Sequence, residues 1–239
     1  MTKLTREALH TLQDDAAPFG VQSVAVSTLL AAFEHELQVP NEAPLAVWRW
    51  LARTGGNAIA LLRVNVIPGD EVVREAVMTL KSANVGDEVE DLAITILERA
   101  SNLSSITDAD VTAIMDGEPG PGRSRRLIWF LEAVHEHSGV SSAVLVALRD
   151  RWASSEKHYL REASIGVATL LSGLDEAYLA RLLADSSPRV RSAVAGLLGA
   201  TDGQDGHVAE RLLKARMVVE EHRQVRSDLH LALGSLAGP

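Results

Sequence analysis

The stretch that decides the fold begins at Asp185 and continues as SSPRVRSAVAGLLG over residues 186–199. Its apolar residues recur at i, i+3, i+4, i+7 and i+8, the spacing of one face of an α-helix. They are Val190, Ala193, Val194, Leu197 and Leu198. Pro188 suits the first turn, because the N–H that proline lacks has no partner there. Asp185 or Ser186 can accept hydrogen bonds from the free N–H groups of that turn. The stretch therefore predicts a helix that begins near Pro188.

The same period governs the rest of the chain, with apolar residues at helical spacing over 26–37, 89–97 and 127–134. No segment alternates apolar and polar residues for long enough to predict a strand. Asp70 or Gly69 can cap a helix through 72–80, and Thr107 with Asp110 resembles a capping box. Glycine and proline interrupt the chain at short intervals, which predicts a dozen to fourteen short helices. The fold class predicted from these patterns is all-α.

Residues 185–199 resemble the second helix of a HEAT repeat, whose signature is an Asp, a Pro, Val-Arg, an Ala and a final Leu-Gly. The matching residues are Asp185, Pro188, Val190, Arg191, Ala193, Leu197 and Gly199. Degenerate copies surround Arg161 and Arg226, which lie 30 residues before and 35 residues after Arg191. This spacing is shorter than the roughly 40–47 residues of typical HEAT units. The resemblance covers about residues 156–238.

The resemblance implies an α-solenoid of stacked antiparallel helical hairpins. It also implies a hydrogen-bonded ladder between the Asp and Arg residues of adjacent repeats. Asp185, Arg161, Arg191 and Arg226 are therefore expected to be structural before they bind a partner. We predict one solenoid over residues 1–239, made of an acidic half (1–116), a Gly/Pro loop (117–124) and a HEAT-like half (125–239).

Charge is unevenly distributed along the chain. Residues 1–120 hold 8 Lys/Arg and 18 Asp/Glu, whereas residues 121–239 hold 15 and 14. An acidic half repels nucleic acid and anionic membranes and attracts basic partners, although it can equally serve solubility. The chain has no cysteine, no apolar run of about 20 residues and no signal peptide at its start. We therefore expect a cytoplasmic protein without a membrane span.

Two patterns resemble cofactor sites. The sequence GEPGPGRS (117–124) has the glycine spacing of a phosphate loop, but it carries Arg123 in place of Lys and follows a predicted helix instead of a strand. Glu7/His10 and Glu132/His135 have the Glu-x-x-His spacing of di-iron proteins, which also need a Glu from each of two further helices. We predict a linker and solvent-facing pairs, and hence no cofactor and no metal.

The function expected from a solenoid is a non-catalytic scaffold that binds a protein partner on its concave face. Glu88, Glu90 and Asp91 are predicted to meet a basic segment of that partner, although acidic residues also favour a helix start. Further candidate partner-binding residues are Trp129, Trp152, Arg161, Arg191 and Arg226.

The alternative is a nucleic-acid binder or enzyme, because some HEAT-like solenoids of about this size are alkylpurine DNA glycosylases. Trp and Arg side chains of the second half could then stack and pair with bases. The net charge of −9 argues against this class, and the catalytic residues of that family match no positions here. The oligomeric state stays open.

Overall fold

A computed structural model describes residues 2–35, 37–54, 69–82, 86–100, 102–137, 140–201 and 205–236. These residues form 13 α-helices and no strand, which confirms the predicted all-α fold. The helices are α1 Lys3–Gln13, α2 Phe19–Glu34, α3 Ala43–Thr54, α4 Asp70–Lys81, α5 Asp87–Arg99, α6 Asp108–Ile114, α7 Pro121–His137, α8 Ser142–Ala153, α9 His158–Ala168, α10 Glu176–Leu183, α11 Pro188–Gly199, α12 Gly206–Val219 and α13 Arg223–Leu236.

The chain divides into two compact units. Unit 1 comprises Met1–Asp116 and Trp129–Val140, and unit 2 comprises Gly117–Ile128 and Ser141–Pro239. Helix α7 begins at Pro121, inside the predicted Gly/Pro loop 117–124, because proline fits the first turn of a helix. The prediction of one solenoid over residues 1–239 stays a prediction.

Unit 1 begins with α1, α2 and α3 packed together, and α4 then contacts α3, α5 and α6. Local signals set the helix starts. Gly69 is the N-cap of α4, as predicted. The predicted capping box is confirmed at α6, where the Thr107 hydroxyl accepts from the Asp110 N–H and the Asp110 carboxylate accepts from the Thr107 N–H.

Unit 2 contains three successive helical hairpins, α8–α9, α10–α11 and α12–α13. The second helices contact one another in order, α9 with α11 and α11 with α13, and the first helices α10 and α12 also touch. Stacked hairpins of the kind that the sequence predicts are thus present in this unit. Its core is mainly aliphatic, chiefly Leu, Val and Ala, and also includes Tyr178.

Helices α11 and α13 pack without room for a side chain at Gly199. A Cβ added at Gly199 would lie 2.8 Å from both the Cα and the Cβ of Ala232, so only glycine fits without a shift of the α13 backbone. A Cβ added at Gly196, one turn earlier in α11, would meet no atom within 4 Å.

We therefore expect Gly199→Ala to lower the free energy of unfolding by about 1–3 kcal/mol, because the added methyl group overpacks the contact. Gly196→Ala is the matched control. It should raise the free energy of unfolding by up to about 1 kcal/mol, because alanine favours a helix over glycine. Urea unfolding followed by far-UV circular dichroism measures both changes. Equal effects of the two substitutions would contradict this account of the helix contact.

Candidate partner-binding surfaces

The candidate residue Arg161, on α9, uses its guanidinium in hydrogen bonds within unit 2. Its Nε and Nη2 donate to the two carboxylate oxygens of Asp185 at 2.6 and 2.9 Å. Its Nη1 donates to the carbonyl oxygens of Ser155 and Glu156, in the turn before α9. Asp185 also accepts from the N–H of Ser187, directly before α11. One carboxylate therefore holds the guanidinium of the preceding repeat and the start of its own helix.

Arg191 of α11 repeats this arrangement one hairpin further on. Its Nε and Nη2 each donate to a carboxylate oxygen of Glu220 at 2.8 Å. Its Nη1 donates to the carbonyl oxygens of Asp185 and Ser186, and Glu220 accepts from the N–H of His222 before α13. Arg161 and Arg191 thus each pair with a carboxylate of the next hairpin, and the second carboxylate is Glu220 and not an aspartate. We call these two pairs the ladder.

Sequence reasoning missed Glu220, because the signature has an aspartate at this place. The signal was spacing: Glu220 precedes Arg226 by six residues, as Asp185 precedes Arg191 and Ser155 precedes Arg161. In the first hairpin, where Ser155 takes the place of the carboxylate, its hydroxyl accepts from the Lys157 N–H. It makes the same local hydrogen bond as the two carboxylates, without their charge.

Pairing with arginine lowers the pKa of both carboxylates. The hydrogen bond from Arg191 is the main cause that lowers the pKa of Glu220 from 4.5 to about 2, although burial opposes it, and Arg216 contributes a second hydrogen bond. Burial raises the pKa of Asp185, but the hydrogen bonds from Arg161 and from the Ser187 N–H outweigh it, so the pKa is lowered. Both groups are anionic at neutral pH.

Arg226 occupies the third arginine position and differs from the other two. Its side chain is exposed, and within the described ranges it forms no ion pair. Arg191 is buried and Arg161 is half-buried. Of the three candidate arginines, Arg226 alone presents its guanidinium to solvent.

The two candidate tryptophans have different environments. Trp129 is 45% exposed, whereas Trp152 is buried in the core of unit 2. Trp152 therefore cannot stack on a ligand while its helix stays packed. Trp129 is in unit 1 and is the accessible ring of the pair.

The three candidate acidic residues of α5 do not share one surface. Glu88 is exposed and Asp91 is half-buried, but Glu90 is only 3% exposed. Glu90 lies three and seven residues before the buried Ala93 and Leu97, so the helical period turns it toward the core. Glu90 therefore does not belong to the acidic surface that the sequence predicts.

Two helices that pack on α4, namely α5 and α6, each begin with acidic residues. Helix α5 starts at Asp87, six residues after α4 ends at Lys81, and Lys81 pairs with Asp110 at the start of α6. We call the acidic residues of these two helix starts the acidic edge: Asp87, Glu88, Asp108 and Asp110. The hydrogen bond from Lys81 helps to lower the pKa of Asp110 against the effect of burial.

The rest of unit 1 strengthens this negative field. The unit holds 8 Lys/Arg and 19 Asp/Glu, a net charge of −11. Among the described residues of the unit, four basic side chains are ion-paired with its own acids, in the pairs Lys3–Glu7, Arg49–Glu75, Arg53–Asp15 and Lys81–Asp110.

An apolar groove between α1 and α2 is a feature that the sequence reasoning missed. Its volume is ≈ 580 Å³, and its lining includes Leu4, Val24 and Leu37, all of them exposed. The signal was the absence of any charged residue from 19 to 33, over nearly the whole of α2. A helix that is apolar all round is normally covered on every side.

The two Glu-x-x-His pairs differ in the exposure of their residues. Glu7, His10 and Glu132 are exposed, and His135 is half-buried. Burial, with the nearby charge of Glu132, raises the pKa of Glu98. The part of the chain that the structure describes holds no group of three or more His, Asp or Glu side chains placed to bind a metal.

Comparison with known proteins gives no family assignment. No protein-family model matches the chain, and no curated protein is similar to it. One solved structure with similarity is an engineered protein from the Northeast Structural Genomics Consortium, at 16% sequence identity over 99% of this chain and 97% of that chain, with a TM-score of 0.37. None of the described helices has both the length and the apolar character needed to cross a membrane.

The geometry of the second ion pair predicts a specific pH dependence. Because the pKa of Glu220 is lowered on folding, its contribution to stability is full above pH 4.5 and is lost as the pH falls toward 2. Glu220→Gln should lower the free energy of unfolding at pH 7 by about 3 kcal/mol, since it leaves Arg191 buried without a counter-charge.

The difference between wild type and Glu220→Gln should then shrink between about pH 5 and pH 2. Urea unfolding across that range measures it, and Glu221→Gln, an exposed neighbour, is the control with little expected effect. A difference that stays constant down to pH 2 would contradict the ion-pair assignment.

Proposed function

We propose that this protein is a non-catalytic, cytoplasmic interaction scaffold that binds a basic protein segment at the acidic edge of unit 1. The observation that carries the proposal is that two helices packed on α4 both begin with acidic residues, within a unit of net charge −11. Its chemical complement is a segment rich in Lys and Arg.

Electrostatics supports a protein partner over a nucleic acid at this surface. Phosphates are repelled by the field of unit 1, and the same field accelerates the encounter with a cationic segment. Glu88 is exposed and makes no ion pair among the described residues, so it can pair with an incoming Lys or Arg without breaking an existing contact.

The nucleic-acid alternative is weakened by the ladder. Arg161 and Arg191 each form a bidentate pair with a carboxylate, so neither guanidinium can contact a phosphate without breaking that pair. Trp152 is buried and cannot stack on a base. Three of the four residues with which the nucleic-acid alternative would first be tested, namely Trp129, Trp152, Arg161 and Arg191, are thus already committed to the fold.

The first experiment is purification of the tagged full chain from its native host at low salt. Mass spectrometry identifies co-purifying proteins, and the ratio of nucleic-acid to protein absorbance reports bound nucleic acid. We expect a stoichiometric partner with a basic segment. Nucleic acid that is released at high salt would instead support the alternative function.

The second experiment tests the acidic edge with the purified partner. Glu88→Lys should slow association by roughly tenfold at low salt and flatten its salt dependence, because it removes attraction at the docking point.

Glu71→Lys is the matched control for this test. It changes the net charge equally and also lies in the first turn of a helix, at the start of α4. The ten residue steps from Glu71 to Lys81 place it about 15 Å from the end of α4 that carries Lys81, beyond the screening length of about 8 Å. Stopped-flow rates that fall equally for both variants would reject the acidic edge as the binding site.

A further inference from the structure

The three hairpins of unit 2 can be aligned on their ladder arginines. Eight residues before the arginine lie Ala153, Leu183 and Val218. The first two are buried, with Leu183 at 3% exposure, whereas Val218 is 85% exposed.

The second helices show the same change from buried to exposed in the third hairpin. Four residues after the arginine lie Ile165, Ala195 and His230, of which the first two are buried and His230 is exposed. The arginine position itself follows this order, from the paired Arg161 and Arg191 to the exposed Arg226. At three aligned positions (the arginine, the residue eight before it and the residue four after it), the side chain is buried or half-buried in the first two hairpins and exposed in the third.

We propose that the open side of the third hairpin binds a helix from another protein, and that an Asp or Glu just before this helix pairs with Arg226. We call this surface the terminal face and define it by Val218, Arg226 and His230. It belongs to unit 2 and does not depend on the acidic edge of unit 1.

The chemistry of the partner follows from the two existing pairs. In each, the carboxylate binds the guanidinium with both oxygens and accepts from the N–H two residues later, before a helix. The partner helix therefore needs an acidic residue directly before its first turn. It also needs an apolar side chain to cover Val218.

A second copy of this chain fits the terminal face poorly. If its first hairpin, α8–α9, stacked head-to-tail on the terminal face, the residue opposite Arg226 would be Ser155. The Ser155 hydroxyl caps its own turn but has no charge with which to neutralise a guanidinium. Charge complementarity thus favours an acidic partner over self-association.

The terminal face can be probed with a peptide of known geometry. Residues 217–236 of this chain carry Glu220 and α13, which already occupy the equivalent place on Arg191. We expect a fluorescent 217–236 peptide to bind the full chain in a saturable way, measured by anisotropy.

A double-mutant cycle tests the pairing. Arg226→Gln in the protein and Glu220→Gln in the peptide should each weaken binding by about tenfold, with no further loss when they are combined. The control is Arg223→Gln, an exposed arginine of the same helix outside the ladder register, which should change affinity less than about twofold. Equal losses for Arg223→Gln and Arg226→Gln would indicate nonspecific charge attraction and overturn the proposal.

A covalent version removes the dependence on peptide affinity. A second copy of residues 202–236, inserted after Leu236, repeats the 35-residue step between Arg191 and Arg226. Two versions of the extended chain are compared, one with glutamate and one with glutamine at the copied position of Glu220. The glutamate version should have a urea midpoint about 0.5 M higher. This difference should vanish in Arg226→Gln. An equal midpoint for the glutamate and glutamine copies, or a difference that survives Arg226→Gln, would overturn the proposal.

Discussion

The interaction on which unit 2 depends is the pairing of an arginine with a carboxylate that lies one hairpin further along the chain. Burying the Arg191 guanidinium is costly, and the two oxygens of Glu220 and two backbone carbonyls offset that cost. Since the same carboxylate accepts from the N–H of His222, the pair also fixes where the next helix starts. A shift of either hairpin would break both contacts, so the ladder sets the register of the stack.

The ladder also separates structural charges from charges that can bind a partner. Arg161 and Arg191, which the HEAT-like resemblance predicts to be structural first, use their hydrogen bonds within the fold. Glu88 in unit 1 and Arg226 in unit 2 are exposed instead, and neither forms an ion pair among the described residues. The two side chains carry opposite charge, so the two surfaces that we propose would select partners of opposite charge.

Local signals allowed much of the fold to be predicted, because helix starts depend on neighbouring residues. The capping box at Thr107 and the start of α4 at Asp70 are examples. Burial was harder to predict, since it depends on which face of a helix meets another. Glu88 and Glu90 are two residues apart, yet one is exposed and the other is turned to the core. The role of Glu220 was not predicted, because the signature has an aspartate at this position. The structure requires only a carboxylate that reaches Arg191, which a glutamate also provides.

The ends of the ladder show an asymmetry that follows from its direction. Each ladder arginine binds a carboxylate of the following hairpin. The position before the first helix of the ladder, Ser155, therefore has no ladder arginine before it, and the last arginine, Arg226, has no carboxylate of a following hairpin among the described residues. At the first end the position is neutral, because Ser155 keeps the hydrogen bond to the next turn and lacks the charge. At the other end the charge is present, because Arg226 is an exposed arginine and Val218, eight residues before it, is an exposed apolar residue. A carboxylate that paired with Arg226 would extend the ladder by one step, which is why the partner that we propose for the terminal face is acidic.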